Sequence, residues 1–383
     1  MNSAENAFGR LPLLLALSLG SLGLLVLGVQ PLLYSAYVHE ELVSEAKVGF
    51  LASTEIAAIG VGSLIGIALL RRMNQQLIAI IGLLLLALLS FAGGIVPLFA
   101  ARGFAGLGGG LLVAVAAFAI ADQTKVNRAA GAYLFVQAVG QYAALKWLSV
   151  QANAQSSAQI LLALACLYII AVPLCLLLPK QAPNRLNPET TEVAGALPLP
   201  GIVALAASGL LVGAVIGIWA YMGLWLEQRG FDAGQVARFL SACMLGQMSG
   251  ALIAMLIGER GNSGHRVLTM SGLMLIIVYG LYASARHVDS ILYLVIAFGM
   301  VWMIATPALT GLVRDLDPSR RSLPHVAGAQ LAGAAIIPTL TGELFAGRGL
   351  DLVIAVSGGT VLASLGVVVL ALAMPKVASL PMP

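Results

Sequence analysis

Hydrophobic positions along this chain gather into long runs, separated by short polar segments. A hydrocarbon core about 30 Å thick is crossed by about 20 apolar residues in a helix. Read for runs of that length, the sequence predicts spans at 11–35, 47–70, 76–95, 98–121, 130–150 and 157–179. After a polar break it predicts 200–226, 234–257, 267–284, 290–313, 326–346 and 351–374. The break, "KQAPNRLNPETTEVAGALPLP", is rich in Pro, Asn, Thr and Glu and reads as an exposed linker. The predicted organisation is an N-terminal six-helix bundle over 1–179, a linker over 180–199 and a C-terminal six-helix bundle over 200–383. Arg10 before an apolar run has the look of a signal peptide. The run reaches Tyr34, however, longer than such a segment and without a convincing cleavage site, so it is read as a retained first helix.

Composition supports a bilayer as the solvent. Only 9% of the 383 residues are charged and mean hydropathy is +0.98, whereas soluble chains carry about 25% charged residues. Cys166, Cys175 and Cys243 all lie in apolar runs, with no C-x-x-C pair and no histidine nearby. His39, His265, His287 and His325 are scattered over predicted loops without metal-ligand spacing. No cofactor is implied. The formal charge of +4 comes without a basic patch interleaved with aromatics, so nucleic acid is not an expected partner.

Basic residues set the expected orientation. Segments on the side of the termini and linker hold thirteen Lys and Arg, among them Arg71, Arg72, Lys180, Arg260 and Arg314. The opposite side holds five: Lys47, Arg229, Arg238, Arg286 and Arg348. The asymmetry places both termini in the cytoplasm, and the expected location is a plasma membrane, as a multi-pass protein of the bacterial inner membrane.

The two halves also resemble each other. Shifted by 188 residues, Val48 falls on Val236, Ser53 on Ser241, Gly62 on Gly250 and Arg72 on Arg260. At a shift of 193, Gly106 meets Gly299, Asp122 meets Asp315 and Arg128 meets Arg321. A six-plus-six parallel repeat about a pseudo-two-fold axis is the plan of one large transporter class.

Three stretches carry a family resemblance. "RGFAGLGGG", Arg102 to Gly110, resembles the fourth-helix motif of the major facilitator superfamily, an arginine with glycines four and six residues on. "GIALLRRMNQ", Gly66 to Gln75, resembles the family's loop between the second and third helices, with Leu70 in place of its aspartate and Met73 in place of a glycine. "IGERGNSGHR", Ile257 to Arg266, is the second-half counterpart, with Glu259 in the acidic place. The fifth predicted span lacks the Gly-Pro signature similar in many drug/proton antiporters. The resemblance implies an all-α membrane protein of twelve transmembrane helices in two six-helix bundles, without enzyme activity. It further implies a central cavity lined by the first, fourth, seventh and tenth helices.

Several side chains stand out against this background. Glu55 is a lone carboxylate in an aliphatic stretch, at a cost of roughly 2.5–3.5 kcal/mol in lipid. Its helical face, Ala52, Ala58, Ile59 and Gly62, suits packing on protein. Arg102 sits about a turn inside the fourth span, and either snorkels or is clamped in the protein interior. In the family's arrangement the two residues are neighbours, and Cys243 and Val295 answer to them in the second half. Burial favours a protonated carboxyl and a nearby cation favours an ionised one, so a change in their separation captures or releases a proton. The expectation is that Glu55 is the proton-coupling carboxylate and Arg102 its partner; a fixed structural pair is the rival.

Gln137 and Gln141 share a face of the fifth span with Tyr133, where amides bond either substrate or neighbouring helices. Trp219 and Trp302 make either an apolar cavity wall or plain helix packing, with Tyr221 beside them and Gln30 and Tyr34 on the opposite wall. Trp225 reads as an interfacial belt residue, Lys146 as snorkelling and Glu343 as solvated at the interface.

The leading reading is a secondary transporter of a small organic molecule, monomeric, working by alternating access and coupled to protons. A proton-independent facilitator and a drug or metabolite exporter are alternatives. A membrane enzyme would need paired carboxylates or a histidine constellation at membrane depth, and a receptor would not explain two similar halves.

Overall fold

The computed structural model describes residues 10–92, 96–123, 126–150, 156–180, 197–258, 260–284, 287–319, 321–345 and 348–374. Nearly all of the linker expected at 180–199 lies outside them, as do Lys125, Glu259, Arg286 and both chain ends. The described residues form helices α1 (Arg10–Gly23), α2 (Leu25–His39), α3 (Glu45–Leu70), α4 (Gln75–Phe91), α5 (Leu98–Ala121), α6 (Val126–Val150) and α7 (Ser157–Ala171). They continue with α8 (Leu199–Gln228), α9 (Ala233–Ile257), α10 (Ser263–Ala283), α11 (Val288–Leu316), α12 (Val326–Phe345) and α13 (Asp351–Ala373).

Among the described residues, ten helical runs are long and apolar enough to cross a membrane, counting α1 and α2 together as Leu11–His39. Two of the expected spans fall short of that standard. The helix expected at 76–95 ends at Phe91 and is 17 residues long. Helix α6 has the length, but Gln137, Gln141 and Lys146 dilute its apolar character.

Local signals explain where helices begin. Ser156 with Gln159, and Asp232 with Gln235, form reciprocal capping boxes at the starts of α7 and α9. Asn74 and Asn262 cap α4 and α10 through their side-chain oxygens. Pro173 follows α7, and the chain tightens there into a 3-10 turn over Val172–Leu177. His265, expected in a loop, lies in the first turn of α10. The first expected span is interrupted at Leu24, whose carbonyl accepts a hydrogen bond from Gln141 Nε2 at 2.8 Å. Asp317, just past α11, accepts from Ser319 N at 3.0 Å and Ser322 N at 2.7 Å. Burial pushes its carboxyl up, but these bonds and that from the Ser319 hydroxyl hold it below the ordinary value.

The chain resolves into two compact units, one of residues 1–44 with 54–189 and one of 45–53 with 190–383. In the first, α5 packs on α1 and α4, α6 on α1 and α2, and α7 on α4. In the second, α8 packs on α12 and α13, α11 on α9, and α10 on α11 and α13. The opening turns of α3 group with this second unit. There the Gly49 N–H donates to the Tyr221 hydroxyl at 2.7 Å and Thr339 Oγ1 lies 2.7 Å from Ser53 Oγ.

Each unit contains the same helix crossing. A Cβ on Gly62 of α3 would strike the Leu107 backbone, and a Cβ on Gly106 would strike the carbonyl of Glu55. In the other unit Gly250 of α9 meets the Met300 backbone and Gly299 meets the carbonyl of Cys243. These four contacts follow the 188- and 193-residue shifts, so the repeat is present as backbone packing. Without a hydrophobic drive between helices in lipid, such close approach supplies the association. Replacement of Gly62 or Gly250 by Ala is expected to lower the thermal unfolding midpoint by about 5 °C or more through overpacking. Gly140→Ala, where a Cβ meets nothing within 4 Å, is expected to leave it unchanged. Fluorescence-detected unfolding of purified protein checks both.

Candidate functional site

Helix α2 presents Gln30, Tyr34 and Tyr37 at helical spacing, and all three are buried. Glu55 on α3 is fully buried, and Arg102 on α5 is 2% exposed. These elements converge on one carboxylate. Glu55 Oε1 is paired with Arg102 Nη2. Glu55 Oε2 accepts from the Tyr34 hydroxyl at 2.9 Å and from Gln30 Nε2 at 3.2 Å. Three donors thus replace the water that a carboxylate would lose, and the guanidinium neutralises its charge. The motif glycine contributes as well. Gly106 lies against the Glu55 carbonyl, so α5 approaches α3 closely where Arg102 must reach across.

The cluster keeps hydrogen-bonding capacity in reserve. Gln30 Oε1, Arg102 Nε, Tyr37 OH and Tyr168 OH are buried without a hydrogen-bond partner among the described residues. Leaving such a group unmet costs about 1–3 kcal/mol. Gln30 Oε1 has a chemical use. Rotating that amide by half a turn places its oxygen where Nε2 now faces Glu55, ready to accept the proton of a neutral carboxyl. The arrangement can therefore satisfy Glu55 in both protonation states.

The other sequence-nominated residues divide. Trp219 of α8 and Trp302 of α11 come together with ring centroids 6.3 Å apart at 57°. Phe298 adds a third ring, 6.2 Å from Trp302. Trp219 is buried and Trp302 half-buried. The Tyr221 hydroxyl is engaged with the Gly49 N–H and lies 3.5 Å from the Ala46 carbonyl. The Gln141 amide is committed to Leu24, and Gln137 lies one turn away on the same buried face of α6. Gln30 and Tyr34 bind the carboxylate.

Trp225 is fully buried by protein in the last turn of α8. Its indole N–H donates to Asp351 Oδ1 at 2.9 Å, and the Arg229 guanidinium lies 4.8 Å from its ring. A carboxylate acceptor and a cation over the ring satisfy the indole within the protein. Tyr37 and Tyr168 were not singled out by the sequence. Tyr37 could have been, because it continues the Gln30–Tyr34 face and stacks on Tyr34 with centroids 6.4 Å apart. Among the described residues, no group of three or more His, Cys, Asp or Glu is placed to hold a metal ion.

Ten membrane-spanning candidates among the described residues, with a buried ion pair between two helices, define a polytopic membrane protein. The family model of the Major Facilitator Superfamily matches residues 11–329, and the chain belongs to that superfamily of transporters. No curated protein matches it.

Removing one partner of a buried pair strands the other, at a cost of about 3–5 kcal/mol. Arg102→Met alone is therefore expected to lower the unfolding midpoint sharply, and Glu55→Gln together with Arg102→Met to restore most of the loss. Unfolding of the single and double variants in detergent checks this. An unstable double variant would mean that the site contributes by shape rather than by charge balance.

Proposed function

We infer that this chain is a proton-coupled secondary transporter of a small organic molecule, working by alternating access with Glu55 as the proton carrier and Arg102 as its counter-ion. The observation that carries the reading is a lone buried carboxylate held by a cation, two neutral donors and an amide with an oxygen in reserve. Protonation of Glu55 turns a neutral buried pair into an unpaired buried guanidinium. That state is costly at low dielectric, so the proton biases the protein toward a conformation in which Arg102 finds another partner. A ligand-dependent conformational equilibrium needs such a differential interaction.

The expected architecture accompanies this reading: twelve spans in two six-helix bundles related by a pseudo-two-fold axis, with bundles at 1–179 and 200–383 joined by a cytoplasmic linker at 180–199. Trp219 and Trp302 are the leading substrate contacts, with Tyr221, Gln137 and Gln141 secondary because two of these three already hold structural hydrogen bonds. Aromatic rings with few polar groups favour amphipathic or weakly acidic organic molecules. The protein acts as a monomer in a bacterial inner membrane. Its orientation follows from the basic-residue asymmetry, and impermeant thiol reagents are expected to label a cysteine at Asp232 from outside intact cells and a cysteine at Asn184 only after permeabilisation.

The functional test begins with a thermal-shift screen of metabolites and drugs at two pH values. For a ligand so identified, proteoliposomes with an imposed pH gradient are expected to accumulate it. Glu55→Gln is expected to abolish gradient-driven accumulation while retaining one-for-one exchange. Full gradient-driven uptake by a folded Glu55→Gln protein would overturn the coupling role.

A further inference from the structure

The Glu55–Arg102 cluster borders a second feature. A cavity of about 240 Å³ lies within the first unit, where α2, α4, α5 and α7 meet at the end remote from Arg10. Its walls include Tyr37, Glu40, Leu42, Arg102, Ser157 and Leu161. Glu40 and Leu42 are exposed, whereas Tyr37 and Arg102 are buried. The cavity thus leads from a polar mouth to the cation that holds the coupling carboxylate.

Three observations bear on its contents. First, two of the buried side chains on its wall each carry an unpartnered polar atom, Arg102 Nε and Tyr37 OH. Polar groups in a roomy cavity are the setting in which water is held, and this volume accommodates several molecules. Second, Glu40 is fixed in place. Its Oε1 accepts from Ser157 N at 2.6 Å, and its Oε2 is bonded by the Ser157 hydroxyl. Third, the charges do not balance. Arg102 is neutralised by Glu55, whereas the α7 N-terminus offsets Glu40 only in part. The titratable groups around Glu55 are Tyr34 and Tyr37 on α2, Arg102 on α5 and Tyr168 on α7.

We propose that this cavity is a hydrated, cation-selective vestibule through which the coupling proton enters from the outer side, by a path within one unit and separate from the substrate's. The proposal rests on the reading of Glu55 as proton carrier. The Glu40 carboxylate concentrates cations at the mouth, and water carries the proton inward as hydronium. Arg102 keeps its own protons, as a guanidinium must. The proton passes from water, directly or by exchange at the Tyr37 hydroxyl, to the Glu55 carboxylate, which becomes a neutral carboxyl while the water is regenerated.

The test uses cysteine probes in full-length protein with Cys166, Cys175 and Cys243 replaced by Ala. Ala101→Cys and Leu161→Cys report from buried wall positions on two helices. Both are expected to react from outside with the cationic reagent MTSET. Relative to a free thiol, its rate advantage over anionic MTSES is expected to be about threefold, and to vanish in Glu40→Gln. Failure of MTSET to modify either position in a monodisperse protein overturns the vestibule. Equal preference for the two reagents overturns its cation selectivity.

A second arm follows the Glu55 carboxyl by infrared spectroscopy after a rapid pH jump, with Glu55→Gln as the reference that lacks the band. A bulky thiol reagent on Ala158→Cys at the mouth is expected to slow the response at least about tenfold. An unchanged rate overturns the entry role while leaving Glu55 as carrier. Absence of any Glu55 response in the unplugged protein overturns the carrier reading, and the entry role with it.

Discussion

Lipid offers no hydrogen bonds, so a carboxylate at membrane depth must be answered entirely by protein. That constraint organises the first unit. Glu55 receives a guanidinium, a phenol and an amide from three directions. Each donor demands a helix at a particular distance, and the shortest approach is made possible by glycine. Gly106, four residues after Arg102, lies against the carbonyl of Glu55 itself. The arginine and the glycine of the motif are two parts of one device: the glycine admits the helix and the arginine uses the proximity.

The second unit shows what the device adds to its scaffold. There α9 and α11 cross in the register of α3 and α5, with Gly250 and Gly299 in the places of Gly62 and Gly106. The residues answering to Glu55 and Arg102 are Cys243 and Val295, both fully buried. The crossing therefore forms without a charge. An ion pair that the backbone does not require, and that costs desolvation to maintain, is more readily explained by chemistry than by architecture. The aromatic group of Trp219, Trp302 and Phe298 lies in this second unit, whose α9–α11 crossing has no charge at the places of Glu55 and Arg102.

What was legible in the sequence depended on how local its cause was. Long apolar runs, capping residues and the glycine pattern act within a helix or across one crossing, and ten of the expected spans and the paired glycine contacts followed from them. Glu55 stood out because every neighbour was apolar. Other features depend on partners remote in sequence. The interruption at Leu24 is met by Gln141, more than a hundred residues away. The Trp225 indole finds its acceptor in Asp351, likewise more than a hundred residues away. Tyr37 gains meaning only beside Arg102, and the cavity between them is a property of four helices at once.

Neutrality links these parts into a mechanism. In the proposed cycle an ionised Glu55 and Arg102 cancel, and a pair without net charge can remain buried while the protein changes shape. A proton removes the cancellation without adding a group, and the structure holds ready acceptors for only one of the two consequences. The neutral carboxyl has the Gln30 amide oxygen; the released guanidinium shares its cavity with Glu40, a carboxylate already bonded by Ser157. Its nearest recourse is that polar cavity, against which Arg102 already lies. In that cycle, protonation from the cavity side leaves Arg102 facing the path by which the proton came. Coupling then has a physical basis: the protonated state holds an unpaired cation, and a change of conformation that gives Arg102 a new partner relieves it.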